Sequence, residues 1–520
     1  MKPWHEKCQG FFILGVTIMA NIFAFSPFGY EGALVNVEVD LRSGISAVDI
    51  VGLSDGAVKE SRERVMAAIK NSGFDFPEER VLISLSPADL KKEGAGFDLP
   101  LALGVFNAKE DSGFIKESVL VLGELELSGR VRPVKGVHAA ISTAMASGIQ
   151  YAVVPKANLF EAHAFKDLKV IGVETLEEAV YALKDGSCFG KAFYIEETSL
   201  SVEFNDCEEL IENCKDMELP KKLIRAIEIA VAGKHNILVT GRQGCGKTMA
   251  IQYLVPLLTP NLTVEEAQTV TRIWSLAGLM KPTDELIKTA PFRLPHQKAS
   301  IEGICGGGPN CRPGEISLAH NGVLFLDEAS EFKSSVLQML RVPLESHSIT
   351  LSRAGRSTCY PANFQLFMAT NPCPCGNFGS NNHICLCSAK SVEMYWKKFS
   401  APLIDRIGII LNMDEENEKI RVDIEELRNH IRTAFEIQRK NSAYNNNLSP
   451  WELSEKAKLD DEALHVMDTW VVKHDIGTRR ETNLLKVSLT IANMDGRETV
   501  TKDDVLEAIS YSKTFGLATN

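Results

Sequence analysis

The sequence predicts an α/β protein: a P-loop core of parallel strands and helices, with an α+β block before it and a helical block after it. Three observations carry this. An apolar strand, HNILVT (235–240), runs into GRQGCGKT and then into a helical stretch, 247–258. Two later apolar strands, 322–326 and 364–370, each end in polar side chains, Asp327-Glu328 and Asn371. From 416 to 520, apolar residues recur at helical spacing. Length agrees with several domains, since 520 residues at about 150 per domain give roughly three to four. Hydrophobic residues are 45% and charged residues 24% of the chain. That balance excludes a disordered chain and a small disulfide-stapled scaffold. The net charge is −12, so any nucleic-acid surface has to be a local basic patch.

Residues 11–28 (FFILGVTIMANIFAFSPF) resemble a signal peptide or short anchor after Lys2 and Lys7. There is no convincing cleavage site. A span needs about 20 apolar residues, and Asn21 and Ser26 interrupt a run already short. The favoured reading starts translation at Met19, leaves 1–18 as a mis-assigned leader and makes 22–38 the first strands of a domain. Within 19–187, apolar alternation predicts strands at 34–39 and 47–51, with others at 81–85, 119–122 and 151–154. Helices are expected at 57–71 and 99–106. The acidic, aperiodic stretch 188–219 reads as a linker. The core follows at 220–415, and 416–520 is expected to be helical throughout, with helices at 418–440, 460–474, 481–494 and 503–515.

The GRQGCGKT loop has the spacing and context of a phosphate-binding loop. Gly241, Gly244 and Gly246 let backbone N–H groups turn inward, and the helix N-terminus adds partial positive charge. Lys247 is placed to reach the β- and γ-phosphates of ATP, and the Thr248 hydroxyl to ligate Mg²⁺. Cys245 in the loop is read as a small side chain rather than a redox switch. Asp327 ends a buried strand and is the candidate second Mg²⁺ ligand; Glu328 is the candidate base for the attacking water. Asn371 is a candidate for placing that water. Arg406, Arg479 and Arg480 offer fixed charges suited to phosphate.

Four of the twelve cysteines lie between Cys373 and Cys387. Cys373-x-Cys375, nine residues, then Cys385-x-Cys387 is the pattern of a tetrahedral Zn²⁺ site, with His383 as a spare ligand. Reduced, unliganded thiols are the other reading. The pattern points to a reducing compartment, the cytoplasm, and not to a disulfide framework.

The stretches 291–328 (PFRLPHQKASIEGICGGGPNCRPGEISLAHNGVLFLDE) and 340–376 resemble magnesium-chelatase-like AAA+ ATPases. With 48–77 and 86–106 added, the chain is similar to the YifB/ComM branch from about Met19 to its end. The resemblance implies an AAA+ P-loop core, an N-terminal Lon-protease-like domain of the ribosomal-S5-domain-2 type, a helical lid and a homo-hexameric ring. It implies that Arg406 acts in trans on the next subunit's nucleotide and Arg479 in cis from the lid. It also implies ATP-driven work on single-stranded or branched DNA, as in branch migration during transformation, with no membrane partner. A chelatase-like remodeller of a protein partner is the alternative. Subunit I of magnesium chelatase is expected to lack the first block, which would separate the two. Protease activity is not expected: Gly96 stands where the Lon nucleophile aligns, and His138 at its partner position.

The sequence departs from the family at Arg242-Gln243, Gln297, Gly408 and Gly477-Thr478-Arg479. The Gly-Gln element expected near Asp216–Leu219 is missing. DNA contacts are expected from Lys298 and Arg312 in the insert around Cys305. Arg353 and Arg356 would add to them from a hairpin at 348–361.

Overall fold

The computed structural model describes residues 21–52, 56–88, 90, 92, 95–110, 115–162, 165, 167–185, 189–191, 202–281, 284, 286–353, 356–378, 384–413, 418–441 and 443–512. The leader 1–18 and His383 therefore lie outside the described residues. The chain divides into two compact units, Met1–Glu196 with Trp274–Leu286, and Glu197–Ile273 with Ile287–Asn520.

The first unit is built on an eight-stranded mixed sheet. Its order is Gly190–Lys191, Lys169–Val173, Tyr151–Pro155, Val119–Val121, Ile22–Ser26, Ala33–Arg42, Arg80–Ser86, Val48–Val51. Ile22–Ser26 is an interior strand, antiparallel to Ala33–Arg42 and parallel to Val119–Val121. The second half of the apolar run 11–28 is thus core-forming strand. Helices Gly56–Asn71 and Asp98–Lys109 pack on each other and close one core. Asp98, wholly buried, accepts from the Arg64 guanidinium at 2.9 and 3.1 Å. Trp274–Leu286 is grouped with this unit: Ser275 Oγ donates to the buried Glu161 carboxylate at 3.2 Å. The His138 amide and Asn158 Nδ2 donate to the same carboxylate. Burial holds its pKa above the usual range.

The second unit holds a five-stranded parallel sheet in the order Phe292–Arg293, Val323–Leu326, Gln365–Thr370, Ile237–Thr240, Ile409–Asn412. Every residue of Ile237–Thr240, Val323–Leu326 and Gln365–Thr370 is buried. Such unbroken apolar runs suit parallel strands covered on both faces. Helices Lys221–Gly233, Lys247–Leu258 and Ile424–Lys440 share one core with Thr478–Met494 and Lys502–Ser510.

Within 188–219, the described stretch 202–219 is ordered: Val202, Phe204, Cys214, Met217 and Leu219 are buried in that core. The last block is not helical throughout. Lys419–Arg421 is a strand paired with Glu218–Pro220. The helix expected from 418 begins at Ile424, because the Asp423 carboxylate caps it by accepting from the Glu425 and Glu426 amides at 3.1 Å. A further helix, Pro450–Lys456, opens with a Ser449–Glu452 capping box. The last described helix, Lys502–Ser510, stops before the expected end at 515, and residues from 513 lie outside the described part.

Candidate functional site

The central strand Ile237–Thr240 delivers the chain at Gly241 to the carboxyl edge of the sheet, where parallel sheets gather ligands. A Cβ on Gly241 would lie 2.6 Å from the Met413 Cβ, so only glycine fits there. Gly246 precedes the helix Lys247–Leu258 at φ 88°, a left-handed conformation that favours glycine. Lys247 is 8% exposed. Its Nζ donates to the Gly241 and Arg242 carbonyls at 2.5 and 2.8 Å and lies 3.5 Å from Cys245 Sγ. The ammonium thus folds back onto its own loop.

Thr248 Oγ1 donates to Asp327 Oδ1 at 2.9 Å. The two expected Mg²⁺ ligands, far apart in sequence, are therefore adjacent in space, and a hydroxyl with a carboxylate is a hard oxygen pair suited to that ion. Glu328 adopts φ 48°, a strained conformation for a residue with a side chain. Its Oε2 accepts from Gln297 Nε2 at 2.5 Å. A cleft of about 320 Å³ is lined by 243–249, Asp327, Glu328 and 369–371. Gly244, Cys245, Gly246, Lys247, Thr248 and Asn371 all face it.

Arg406 and Arg479 do not line that cleft. Both reach Glu345: Arg406 Nη2 donates to one carboxylate oxygen, and Arg479 Nη2 to the other at 2.7 Å. Arg406 is only 12% exposed, and its Nη1 donates to the Pro402 carbonyl at 2.5 Å. The Arg406 hydrogen bond, then its charge and that of Arg479, hold Glu345 below the usual carboxylate range. Arg480 pairs with Asp405 at 3.1 Å.

Cys373, Cys375, Cys385 and Cys387 bring their sulfurs within 4.8 Å of one another. Three of the separations are 3.3, 3.7 and 3.6 Å. A tetrahedral ion with metal–sulfur bonds of about 2.3 Å sets its sulfurs about 3.8 Å apart, so the donor set fits one such ion. The Asn377 amide, then Cys373, draw the Cys375 thiol down to about 6. At Cys385 and Cys387 a lowering backbone hydrogen bond is outweighed by burial and the neighbouring sulfurs, which push both thiols up.

Lys298, Arg312 and Arg353 are exposed. Cross-strand register puts Arg353 opposite Arg356 at the tip of the hairpin Ser348–Pro361. The Arg356 side chain lies outside the described residues. A Cβ on Gly306 would lie 2.5 Å from the Arg312 carbonyl and 3.0 Å from Leu351 Cδ1, so the two inserts pack together. Three residues have no role assigned from sequence: Gln297, Glu345 and Tyr395, whose hydroxyl lies 3.0 Å from the Asn371 carbonyl. Gln297 stood out only as a family departure, Glu345 lay inside a quoted stretch, and Tyr395 left no signal.

The parallel sheet, the phosphate loop after its central strand and the acidic pair on a nearby strand define an AAA+-like α/β core with a C-terminal helical region. Three family models match the chain: subunit ChlI of Mg-chelatase over 37–158, magnesium chelatase subunit ChlI over 214–420, and its C-terminal part over 422–512. The chain is 35% identical to the competence protein ComM of Haemophilus influenzae over 512 residues, covering 95% of this chain and 97% of that protein. It is 34% identical to the uncharacterized protein YifB of Escherichia coli over 498 residues, 94% of this chain and 95% of that one. The chain is also 25% identical over 138 residues to an archaeal Lon protease of Methanocaldococcus jannaschii, 26% of this chain and 21% of that protein. The chain belongs to the magnesium-chelatase/ComM/YifB family, whose membership implies an ATP-driven enzyme using Mg²⁺. The model matching 37–158 carries the ChlI description, so the N-terminal block does not separate this chain from chelatase subunits as expected. Among the described residues, no helix is long and apolar enough to cross a membrane.

Proposed function

We propose that this chain is a cytoplasmic, DNA-acting motor that hydrolyses ATP as a homo-hexamer. The observation that carries this reading is similarity along nearly the whole chain to a competence protein. The exposed Arg353 at the hairpin tip, with Arg312 in the adjoining insert, supports it as a sequence-independent phosphate contact. The first unit is read as a Lon-like scaffold without protease activity.

In this reading Lys247 leaves the Gly241 and Arg242 carbonyls for the β- and γ-phosphates, and the inward amides of 243–248 cradle them. Thr248 and Asp327 would hold Mg²⁺, which neutralises phosphate charge when bound. Glu328 polarises the attacking water, and Asn371 orients it from the next strand. Arg406 leaves Glu345 to meet the neighbouring subunit's γ-phosphate, and Arg479 leaves it to meet its own. The four thiolates would hold Zn²⁺ as a structural ion.

The test is the ATPase rate with and without single-stranded and forked DNA. DNA is expected to raise it several-fold. Arg353→Glu is expected to abolish that rise and leave the basal rate intact. No stimulation by either DNA would favour a second reading, a chelatase-like remodeller of a protein partner, which the chelatase family models support.

A further inference from the structure

The segment after Asn371 makes a closed figure. The chain leaves the cleft through Asn371-Pro372, passes the four thiols and enters the helix Ala389–Trp396 directly after Cys387. Ser388 caps that helix, its hydroxyl accepting from the Ser391 amide at 3.2 Å. The helix then returns the chain to its starting point. Trp396 Nε1 donates to the Pro372 carbonyl at 3.1 Å. Lys398 Nζ donates to the Ser330 carbonyl at 2.8 Å.

Tyr395 sits at the centre of this closure, 7% exposed. Its hydroxyl lies 2.8 Å from Ser330 Oγ, 2.9 Å from Thr370 Oγ1 and 3.0 Å from the Asn371 carbonyl. One phenolic proton and two lone pairs serve three partners, so the group is fully used. Ser330 belongs to the turn just after Glu328, and Thr370 precedes Asn371. One oxygen therefore joins the segment carrying the candidate base to the segment carrying the candidate water-orienting amide.

We propose that Tyr395 is a positioning residue for ATP hydrolysis, and that a metal ion bound by Cys373, Cys375, Cys385 and Cys387 holds it in place. This rests on the reading that Glu328 and Asn371 act on the attacking water. Such groups must be held to about half an ångström to work. The closure by Trp396 and Tyr395 fixes the base of the loop. At its far end Ile384 and Leu386 are largely exposed. Among the described residues there, the four convergent sulfurs are the groups placed to close the loop, so binding energy at the metal becomes order in the helix.

The experiment uses the full-length chain, wild type and Tyr395→Phe, with metal content measured by mass spectrometry. Both are expected to carry one zinc per chain and to bind a fluorescent ATP analogue within about twofold of each other. The kcat of Tyr395→Phe is expected to fall about tenfold, the worth of roughly one hydrogen bond. Withdrawing zinc from wild type with 1,10-phenanthroline should lower kcat by a similar factor and raise deuterium uptake across 365–372. Returning zinc should reverse both. Withdrawing it from Tyr395→Phe should add little. Ser330→Ala, which removes one partner of the same hydroxyl, should give a smaller loss and guards against misfolding of the first variant. Wild-type kcat in both variants would overturn the role of Tyr395. A zinc effect that adds in full to the Tyr395→Phe loss would overturn the coupling, and metal-free active protein would overturn the metal. Failure of the underlying reading is seen separately, as unchanged ATP hydrolysis in Glu328→Gln and Asn371→Ala.

Discussion

Gln297 and Glu328 show how one contact can restrain a candidate catalytic group. The Gln297 amide occupies one oxygen of a carboxylate whose backbone is already strained. A hydrogen bond to a charged group is worth about 1.5–3 kcal/mol, so the carboxylate is held less free to turn. Gln297→Ala is expected to raise the DNA-independent ATPase rate, by up to about tenfold, without changing the KM for ATP. Steady-state kinetics without DNA check it, and a fall in that rate would assign Gln297 to the productive geometry instead. That Lys247, Thr248 and Asp327 share one cleft was legible in sequence from residue type and spacing. The Gln297 contact was not, because it joins two loops that only the sheet brings together.

Among the elements, the short helix Pro343–Ser346 has a place out of proportion to its length. Its Glu345 holds Arg406, beside the last sheet strand, and Arg479, at the start of the helix Thr478–Met494. Both arginines are expected to leave it for phosphate. The Arg479 pair is exposed and contributes about 0–1 kcal/mol. Arg406 is mostly buried but keeps the Pro402 carbonyl as an acceptor, and Gln retains an acceptor oxygen, so Glu345→Gln should lower the melting temperature only modestly. It should, however, lower the protein concentration giving half-maximal ATPase several-fold, since neither arginine then has to leave a carboxylate. A dilution series of ATPase rate checks this, and an unchanged or raised midpoint would count against it. The hairpin expected at 348–361 is present as two paired strands, Ser348–Arg353 and Arg356–Pro361. The start of Ile424–Lys440 was not legible, because Glu418–Arg421 has a helix-like composition and pairing with Glu218–Pro220 makes it a strand.

At the scale of the molecule, burial sets the response to acid. His235 and His320 are both driven down to about 3, first by desolvation and then by nearby lysine, Lys486 for one and Lys234 for the other. His347 is pushed the same way, by burial and then Lys486. Below about pH 6.5 the unfolded chain takes up protons at these sites that the folded chain does not, so stability falls as pH falls towards 3. Each fully neutral histidine contributes a slope of about 1.4 kcal/mol per pH unit. Urea midpoints at pH 7.5 and 5.5 should differ by about 2–3 kcal/mol in unfolding free energy, and His320→Asn should roughly halve the difference. Equal midpoints would show that these rings titrate normally.

The sequence by itself determined the local chemistry of this protein: the phosphate loop, the acidic strand end, the thiolate pairs and the family. Those signals depend on residues close together in the chain, where spacing alone sets geometry. The tertiary structure decided what each group faces. Lys247 lies on its own loop, both arginines on Glu345, Glu328 on Gln297, and Tyr395 between two strand ends. It also drew residues 202–219 into the core, despite their acidic composition. Parallel strands are joined only through long crossovers, so partners at the carboxyl edge of such a sheet come from distant segments and leave no periodic trace.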